Sequence, residues 1–245
     1  MSTERYELRL AASAEDLRAA QRLRFAVFNV ELGEGLPGAE ATGLDADEFD
    51  AVCDHLLVVE RATGVVAGTY RLQTGAVAGA SGLGYYSARE FEFAMFEALR
   101  GEMVELGRAC VAAEHRNHSV LGLLWRGIAG YAQQRGARYL VGCSSLTSQD
   151  EAEGLAAYAV LARGSLVKEE WRTRPLEAWR CEATEEAVRA AMMRVKIPRL
   201  MTAYLAAGAK VCGEPAIDRE FKTIDFLTWM DLRAMPARVL RKFAG

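Results

Sequence analysis

Apolar residues recur along this chain with two different periods, and the change from one to the other marks the expected elements. They alternate with charged residues over 6–10, which predicts a strand with one buried face. Helical spacing follows over 14–27, after a Ser13 that is typical of a helix N-cap. Two apolar runs, 55–60 and 65–72, flank a short turn that contains a glycine, and this arrangement predicts a β-hairpin. The sheet is therefore expected to be partly antiparallel at this end.

The stretch from residue 103 to residue 146 has the pattern of a βαβ unit. An apolar run over 103–111 is followed by a basic loop, a helical pattern over 120–134 and a second apolar run over 139–146. Two strands joined by a crossover helix lie parallel in a sheet. We therefore expect a parallel pair of strands here.

The remaining segments complete the predicted architecture. The glycine-rich stretches 33–50 and 75–84 are interpreted as an irregular loop and a mobile connection, and Ser87 as the start of a helix that reaches residue 98. The later pattern predicts helices at 151–163, 184–196 and 198–208, a strand at 221–232, and a short basic tail at 235–245. The whole chain, 1–245, is expected to be one domain of the α/β (α+β) class. Its mixed central sheet is flanked by helices, with an extra helical insertion in the C-terminal half.

The predicted turn from strand to helix near residue 116 can carry chemistry. Glu105 lies inside an apolar run, where loss of water would raise its pKa and make it a candidate general base near neutral pH. Ser119 is expected to cap the helix, and the first helical N–H groups, with Arg116 and His118, would favour an anion such as phosphate. The alternative is that Glu105 only forms an ion pair with Arg108. Both interpretations stay open at this point.

Composition and charge exclude several classes of protein from our expectation. The net charge of −3 gives no overall sign of nucleic-acid binding. No apolar run has the length of a membrane span and the polar N-terminal residues do not resemble a signal peptide, so we expect a cytoplasmic protein. The five cysteines are widely spread and are expected to be reduced. His115 and His118 have no convincing third ligand, so no metal site is expected.

A set of short motifs, spread over nearly the whole chain, is specific in combination although each one is weak alone. Together they resemble the ornithine N-acyltransferase family of ornithine-lipid synthesis, whose members have the GNAT fold and are often labelled hemolysin-like. The motifs are Arg24 with Phe28, Asp47-Glu48-Phe49-Asp50, Cys53-Asp54-His55-Leu56-Leu57-Val58, Gly68-Thr69-Tyr70-Arg71-Leu72, Tyr86-Ser87-Ala88-Arg89-Glu90-Phe91, Glu105-Leu106-Gly107-Arg108, Gly142-Cys143-Ser144-Ser145-Leu146 and Gly213-Glu214-Pro215-Ala216-Ile217-Asp218.

This resemblance implies a GNAT-like sheet, an acyl donor and an amino-acid acceptor. The donor would be a long-chain acyl group, with or without a 3-hydroxyl, on the phosphopantetheine of acyl carrier protein, or acyl-CoA, and no cofactor would be permanently bound. Residues 116–121 lack the glycines with which GNAT enzymes hold the pyrophosphate of CoA, which favours the single phosphate of a carrier protein. Residues Arg116, His118, Ser119 and Arg126 are the candidates for binding phosphopantetheine and the acidic carrier.

The resemblance also implies roles at the acceptor site. Glu105 would take a proton from the acceptor ammonium, and a bulge at Gly107 would bring Arg108 to the same face. Asp47 and Asp50 are candidates for the cationic side of the acceptor, and Arg71 for its carboxylate. Further substrate-binding candidates are Arg24, Phe28 and Ser144.

Three other functions remain open from the sequence. The first is an N-acetyltransferase that uses acetyl-CoA, and the second is an enzyme similar to acyl-homoserine-lactone synthases. The third is a membrane-acting protein, as the hemolysin-like label would imply, although no Lys-rich amphipathic segment supports it. Peripheral contact with the inner face of a membrane is compatible with the expected cytoplasmic location.

Overall fold

The computed structural model describes residues 2–236 and residue 239. The basic tail predicted after residue 235 therefore lies largely outside the described residues. No helix in the described part of the chain combines the length and apolar character needed to cross a lipid bilayer.

An eight-stranded mixed sheet forms the centre of the molecule and confirms the predicted α/β class. Its order is β1-β2-β3-β4-β5-β8-β6, with β7 also paired to β8, and every pair is antiparallel except β4 with β5. The hairpin and the parallel βαβ pair predicted from the sequence are therefore both confirmed. The strands are β1 (Tyr6–Leu10), β2 (Asp54–Glu60), β3 (Val66–Thr74), β4 (Met103–Val111), β5 (Tyr139–Leu146), β6 (Lys210–Val211), β7 (Ala216–Asp218) and β8 (Thr223–Asp231).

Seven α-helices accompany the sheet in the described residues, and three of them form the predicted C-terminal insertion. They are α1 (Ser2–Arg5), α2 (Ala14–Phe25), α3 (Gly75–Ala80), α4 (His118–Gln134), α5 (Glu151–Leu161), α6 (Glu185–Met192) and α7 (Arg199–Ala206). After α2 the chain continues as a π-helix, Ala26–Leu32, which ends at the left-handed Gly33.

Three local predictions were wrong. The stretch 75–84 contains α3, because the Thr74 side chain accepts a hydrogen bond from the Val77 N–H and caps a helix there. Instead of one helix from Ser87 to residue 98, the chain forms two 3-10 segments, Ser87–Arg89 and Ala94–Glu102. The cap of α4 is Asn117, not Ser119, since the Asn117 carboxamide oxygen accepts hydrogen bonds from two N–H groups of the first turn.

The two faces of the sheet are covered differently. Helix α4 packs on one face through Val120, Leu124 and Ile128, against the apolar side chains of β1 to β5. The opposite face is covered by α2 and by the aromatic 3-10 segments. Successive side chains of a strand alternate between faces, so Glu105 and Arg71 lie on the face away from α4, beneath those segments.

The parallel pair separates just where Glu105 lies. Pairing of β4 with β5 covers only Met103–Glu105 against Tyr139–Val141. On its other edge β4 has a bulge, since Arg108 and Ala109 together oppose a single residue of β3. The predicted bulge therefore follows Gly107 directly, and Arg108 has a left-handed φ of 48°. This conformation is uncommon outside glycine and asparagine.

Candidate active site

A pocket of about 160 Å³ lies where β4 and β5 separate. Glu105, Arg71, Arg108, Phe28 and Ser144 all line it, so five residues predicted from distant parts of the sequence meet there. The volume is below the about 300 Å³ at which pockets for drug-sized ligands begin. A ligand the size of one amino acid is therefore the appropriate occupant.

Glu105 is held in the pocket by main-chain donors. The N–H groups of Tyr86 and Ser87 each donate a hydrogen bond of 2.8 Å to its carboxylate oxygens, and the side chain is 5% exposed. Burial raises the pKa of Glu105, while these hydrogen bonds oppose the rise. The result is an oriented carboxylate with increased basicity, which suits a general base.

Asp50 joins the pocket to helix α2. Its carboxylate accepts hydrogen bonds of 2.9 Å from Gln21 and from Arg24, and one of 3.1 Å from Arg71. Burial alone would raise the pKa of Asp50, but Arg24 and Arg71 outweigh it and hold that pKa well below its usual value. Arg24 is fully buried and does not line the pocket. It supports Arg71 from behind through their shared aspartate.

Arg108 is the second guanidinium of the pocket. Its Nη2 donates to Asp47 at 3.1 Å, and its Nε lies 3.3 Å from Asp45. The group is stacked between the rings of Phe221 and Tyr86, with 4.4 Å and 5.0 Å to the ring centroids. Charge pairing and aromatic contact fix its plane and stabilise the strained backbone of the bulge.

The carboxylates of Asp47 and Asp50 already pair with arginine side chains of the protein. Asp47 accepts from Arg71 and Arg108, and its Oδ1 also caps the 3-10 turn at Phe49. We expected these carboxylates to receive the cationic end of an acceptor. They instead hold the two guanidinium groups in the pocket.

Four other buried acids were not among the predicted site residues. Glu34, Asp218 and Asp225 line the pocket, and Glu90 lies behind Asp225. We call these four residues the acidic wall. Asp225 had a detectable signal, since it is the one charged residue inside the fully buried run 223–230. That is the same pattern by which Glu105 was recognised.

Two acids of this wall and a neighbouring cysteine are potential metal ligands that lie close together. Glu90, Cys143 and Asp225 each place one ligand atom within 4.8 Å of the others, the single such group found among the described residues. Burial raises the pKa of Cys143 and of Glu90 well above their usual values. Metal ligands must be deprotonated, whereas burial disfavours the charged forms of both groups in the unliganded site.

The start of α4 opens onto an apolar groove. Arg116, Asn117 and His118 line the groove together with Arg199 of α7, which sequence reasoning had not selected. Arg116 forms a two-pronged ion pair with Glu31, at 2.5 and 2.6 Å, on the molecular surface. These residues could hold the phosphate of a pantetheine arm.

The other two donor-site candidates are placed differently. Ser119 lies in the first turn of α4, and its N–H is bound by the Asn117 cap. Arg126 lies two turns further along the same helix and lines none of the pockets described here. The structure therefore separates Arg126 from the groove at the start of α4.

A second pocket of about 70 Å³ lies on the α4 face of the same gap. Trp125, Leu140 and Met230 give it an apolar wall, and it shares residues 106–109, 143–144 and 204 with the first pocket. Tyr204 of α7 is hydrogen-bonded to Tyr70 of β3 across this region. The two pockets therefore meet through the opening between β4 and β5.

Comparison with known proteins gives close relatives over nearly the whole chain. Residues 23–126 match the family model described as an acetyltransferase (GNAT) domain. A protein of Brucella abortus (strain 2308) named L-ornithine N(alpha)-acyltransferase is 32% identical over 251 residues, covering 98% of this chain and 89% of that protein. A protein of the same name from Rhizobium meliloti (strain 1021) is 34% identical over 253 residues, covering 98% and 84%.

Solved structures agree on the fold. FeeM, an N-acyl amino acid synthase from uncultured soil microbes, has a TM-score of 0.57 at 13% identity and covers 94% of both chains. The AHL synthase LasI has a TM-score of 0.53 at 13% identity, with 96% of this chain and 94% of that one covered. These likenesses concern the fold alone, whereas the sequence relatives identify the family. The chain is an acyltransferase with the GNAT fold and belongs to the L-ornithine Nα-acyltransferase family.

Proposed function

We propose that the protein transfers a long-chain acyl group from the phosphopantetheine of acyl carrier protein to the α-amine of ornithine. The observation that carries this proposal is the pocket at the strand opening, where a buried carboxylate with raised pKa faces two guanidinium groups. The name of the relatives supports ornithine as the acceptor. In this proposal the whole chain, 1–245, acts as one unit in the cytoplasm, with peripheral contact at the membrane.

Glu105 acts as the general base of the reaction. It takes a proton from the α-ammonium of the acceptor, and the free amine attacks the carbonyl carbon of the thioester. The new C–N bond forms as the C–S bond breaks, and the thiol of phosphopantetheine leaves with a proton. Main-chain N–H groups at the strand opening stabilise the oxyanion, a contribution often worth about 3 kcal/mol.

Arg71 and Arg108 hold the α-carboxylate of the acceptor. Both line the pocket, and the two bonds of Arg71 to Asp47 and Asp50 come from the same nitrogen, Nη1. Its other N–H groups are thus suited to a two-pronged bond with a carboxylate. Arg24 and the two aspartates act as positioning residues, because they fix the guanidinium planes without lining the pocket.

The donor enters from the start of α4. We place the phosphate of its pantetheine arm at the first turn of that helix, near Arg116, His118 and Ser119, with Arg126 on the surface that meets the acidic carrier protein. The arm follows the apolar groove to the strand opening, and the first carbons of the acyl chain enter the second pocket beside Trp125. Phe28 and Ser144 line the first pocket next to the reacting groups.

Mass spectrometry of the reaction products tests this proposal. The purified protein is incubated with ornithine and palmitoyl- or 3-hydroxypalmitoyl-acyl carrier protein, and Nα-acylornithine is the expected product. Glu105→Gln should lower kcat by about 10²- to 10⁴-fold. The exposed residue Glu102 provides the control Glu102→Gln, which should retain full activity. Acetylation from acetyl-CoA without any long-chain product would refute the donor that we propose.

A further inference from the structure

The acidic wall is buried without a matching cation. Exposure is 6% for Glu34, 0% for Glu90, 2% for Asp218 and 4% for Asp225. Among the described residues, no Lys or Arg forms an ion pair with any of the four. Buried carboxylates are normally paired, because an isolated charge is costly to remove from water. A positive group that is supplied from outside would complete this arrangement.

Asp225 has an acceptor that no donor uses. Its Oδ1 is fully buried and has no hydrogen-bond partner, and the side chain lines the pocket. Ser145 and Thr223 contact the same carboxyl group, and Glu90 lies beside it. An unpaired acceptor of this kind costs about 1–3 kcal/mol. The pocket-lining Asp225 therefore retains one unused hydrogen-bond acceptor.

Glu34 and Asp218 extend this acceptor surface. The Glu34 carboxylate is hydrogen-bonded to the Thr147 side chain, and burial raises the pKa of Glu34. The Oδ1 of Asp218 accepts from the N–H groups of Glu220 and Phe221, at 2.9 and 2.8 Å, which fixes the turn before β8. The wall is thus held in place by its own loops and does not depend on a ligand for its shape.

The two sides of the pocket differ in net charge. The guanidinium side is balanced, since the three arginines are paired with the three aspartates Asp45, Asp47 and Asp50. The acids of the wall have no Lys or Arg partner in the described part of the chain. A ligand that places a carboxylate against the arginines and an ammonium against the wall would match both sides.

We propose that the acidic wall binds the side-chain ammonium of a diamino-acid acceptor, and that Asp225 and Glu34 determine which amino acid is acylated. This inference rests on the proposed function and adds to it the residues that read the acceptor side chain. The distal ammonium donates hydrogen bonds to Asp225 Oδ1 and to Glu34, while the α-carboxylate meets Arg71. The α-amine then lies between them, next to Glu105. Acceptors without a distal amine leave the wall unpaired and are used poorly.

Competition between two acceptors tests this proposal. Norvaline has the three-carbon side chain of ornithine without the amine, so it differs only in the group that the wall would bind. Wild-type protein should show a kcat/KM for ornithine at least about 100-fold above that for norvaline. Asp225→Asn and Glu34→Gln should each lower the value for ornithine by about 30-fold or more. Neither should lower the value for norvaline, so retained norvaline activity also shows that the variants fold correctly.

Glu92→Gln is the matched control, because Glu92 is exposed and lies outside the pocket. This change should leave the kcat/KM values for ornithine and for norvaline unchanged. Equal use of ornithine and norvaline by the wild type would overturn the inference and leave ornithine acylation intact. An equal loss for both acceptors in Asp225→Asn would also overturn it, since that pattern indicates a merely structural role.

Calorimetric titration without any donor separates the inference from the proposed function. Ornithine should bind to the wild type and lose most of its affinity in Asp225→Asn, whereas norvaline should bind weakly to both. Such binding without any acylated product would support the wall and refute the proposed reaction. Ornithine affinity that does not change in Asp225→Asn would refute the wall.

Discussion

Asp50 and Asp225 are both buried aspartates, yet their surroundings move their pKa values in opposite directions. Burial acts to raise both pKa values. Asp50 contacts two guanidinium groups, which outweigh burial and lower its pKa, whereas Asp225 contacts hydroxyls and another acid. The pKa of Asp225 is raised to about 6. An aspartate therefore holds arginines in place at one side of the pocket, and an aspartate has an unused hydrogen-bond acceptor at the other.

Asp225→Asn should make the protein more stable at neutral and alkaline pH. A carboxyl whose pKa is raised on folding favours the native state below its unfolded pKa, and this advantage disappears as pH rises through the folded pKa of about 6. The free energy of unfolding should therefore increase by about 1–3 kcal/mol at pH 8 and by almost nothing near pH 4. Urea denaturation at both pH values measures it. A variant that is less stable than wild type at pH 8 would contradict this account.

Asp50→Asn should have the opposite effect. The change removes the charge that pairs with Arg24 and Arg71, and leaves those buried guanidinium groups without compensation, at a cost of about 3–5 kcal/mol. Glu15→Gln is the comparison, because Glu15 pairs with Arg22 at the surface. There the loss should be below about 1 kcal/mol. Thermal or urea denaturation distinguishes the two, and equal losses would mean that burial of the network matters little.

The residues that the sequence predicted best are those with a local signal. Glu105 was recognisable as a charge inside an apolar strand, and the structure buries it in the pocket. The partners of Asp47 and Asp50 were not predictable, because Arg71 and Arg108 approach them only after β3 and β4 have paired. Arg199 was missed for the same reason, since α7 reaches the groove across the fold and not along the chain.

At the scale of elements, the opening between β4 and β5 depends on a close approach by Gly142. A Cβ atom at this position would lie 2.1 Å from the carbonyl oxygen of Leu106, which is main chain and cannot move aside easily. Only glycine therefore allows β5 to approach β4 at the point where the two pockets meet. The width of the opening is set by this contact.

Gly142→Ala should force the two strands apart. We expect a loss of about 1–3 kcal/mol in the free energy of unfolding and a marked loss of activity with long-chain donors. Gly130→Ala is the control inside α4, where a Cβ meets nothing within 4 Å. That change should raise stability by about 0.5–1 kcal/mol, because alanine favours a helix. Chemical denaturation and initial rates measure both, and an active, fully stable Gly142→Ala protein would contradict the proposed fit.

Regular elements were predicted well and irregular ones poorly. The helical period of α4 and the β-branched and aromatic residues of β8 each reveal the type of the element. The 3-10 segments between 87 and 102 are short and were interpreted as one helix, since capping residues look alike in both. The left-handed Arg108 follows from the pairing of β4 with β3, and no local preference of arginine predicts it.

For the molecule as a whole, the two groups of acids set a pH at which folding is most favourable. Glu34, Glu90, Glu105 and Asp225 have raised pKa values and favour the native state as pH falls. Asp16, Asp47 and Asp50 have lowered pKa values and favour it as pH rises above their unfolded values near 4. The two effects on the free energy of unfolding balance at an acidic pH.

Stability should therefore be greatest between about pH 4 and pH 6 and should fall toward pH 8. Differential scanning calorimetry over this range gives the curve. A saturating concentration of ornithine should raise Tm more at pH 8 than at pH 4, because the raised pKa of Asp225, about 6, leaves that carboxylate charged only at the higher pH. A Tm that rises steadily up to pH 8 without any ligand would contradict the opposed action of the two groups.

The junction of the two pockets has a kinetic consequence. A product with its amino-acid head in the first pocket and the start of its chain in the second would lie across the opening between β4 and β5, and it would have to withdraw from both pockets to leave. Escape would then be slower than bond formation, and rapid mixing should show a burst of one product per enzyme before steady turnover begins. Phospholipid vesicles that extract the amphiphile should speed the steady phase and leave the burst unchanged. By this account the enzyme turns over fastest where a lipid surface removes its product.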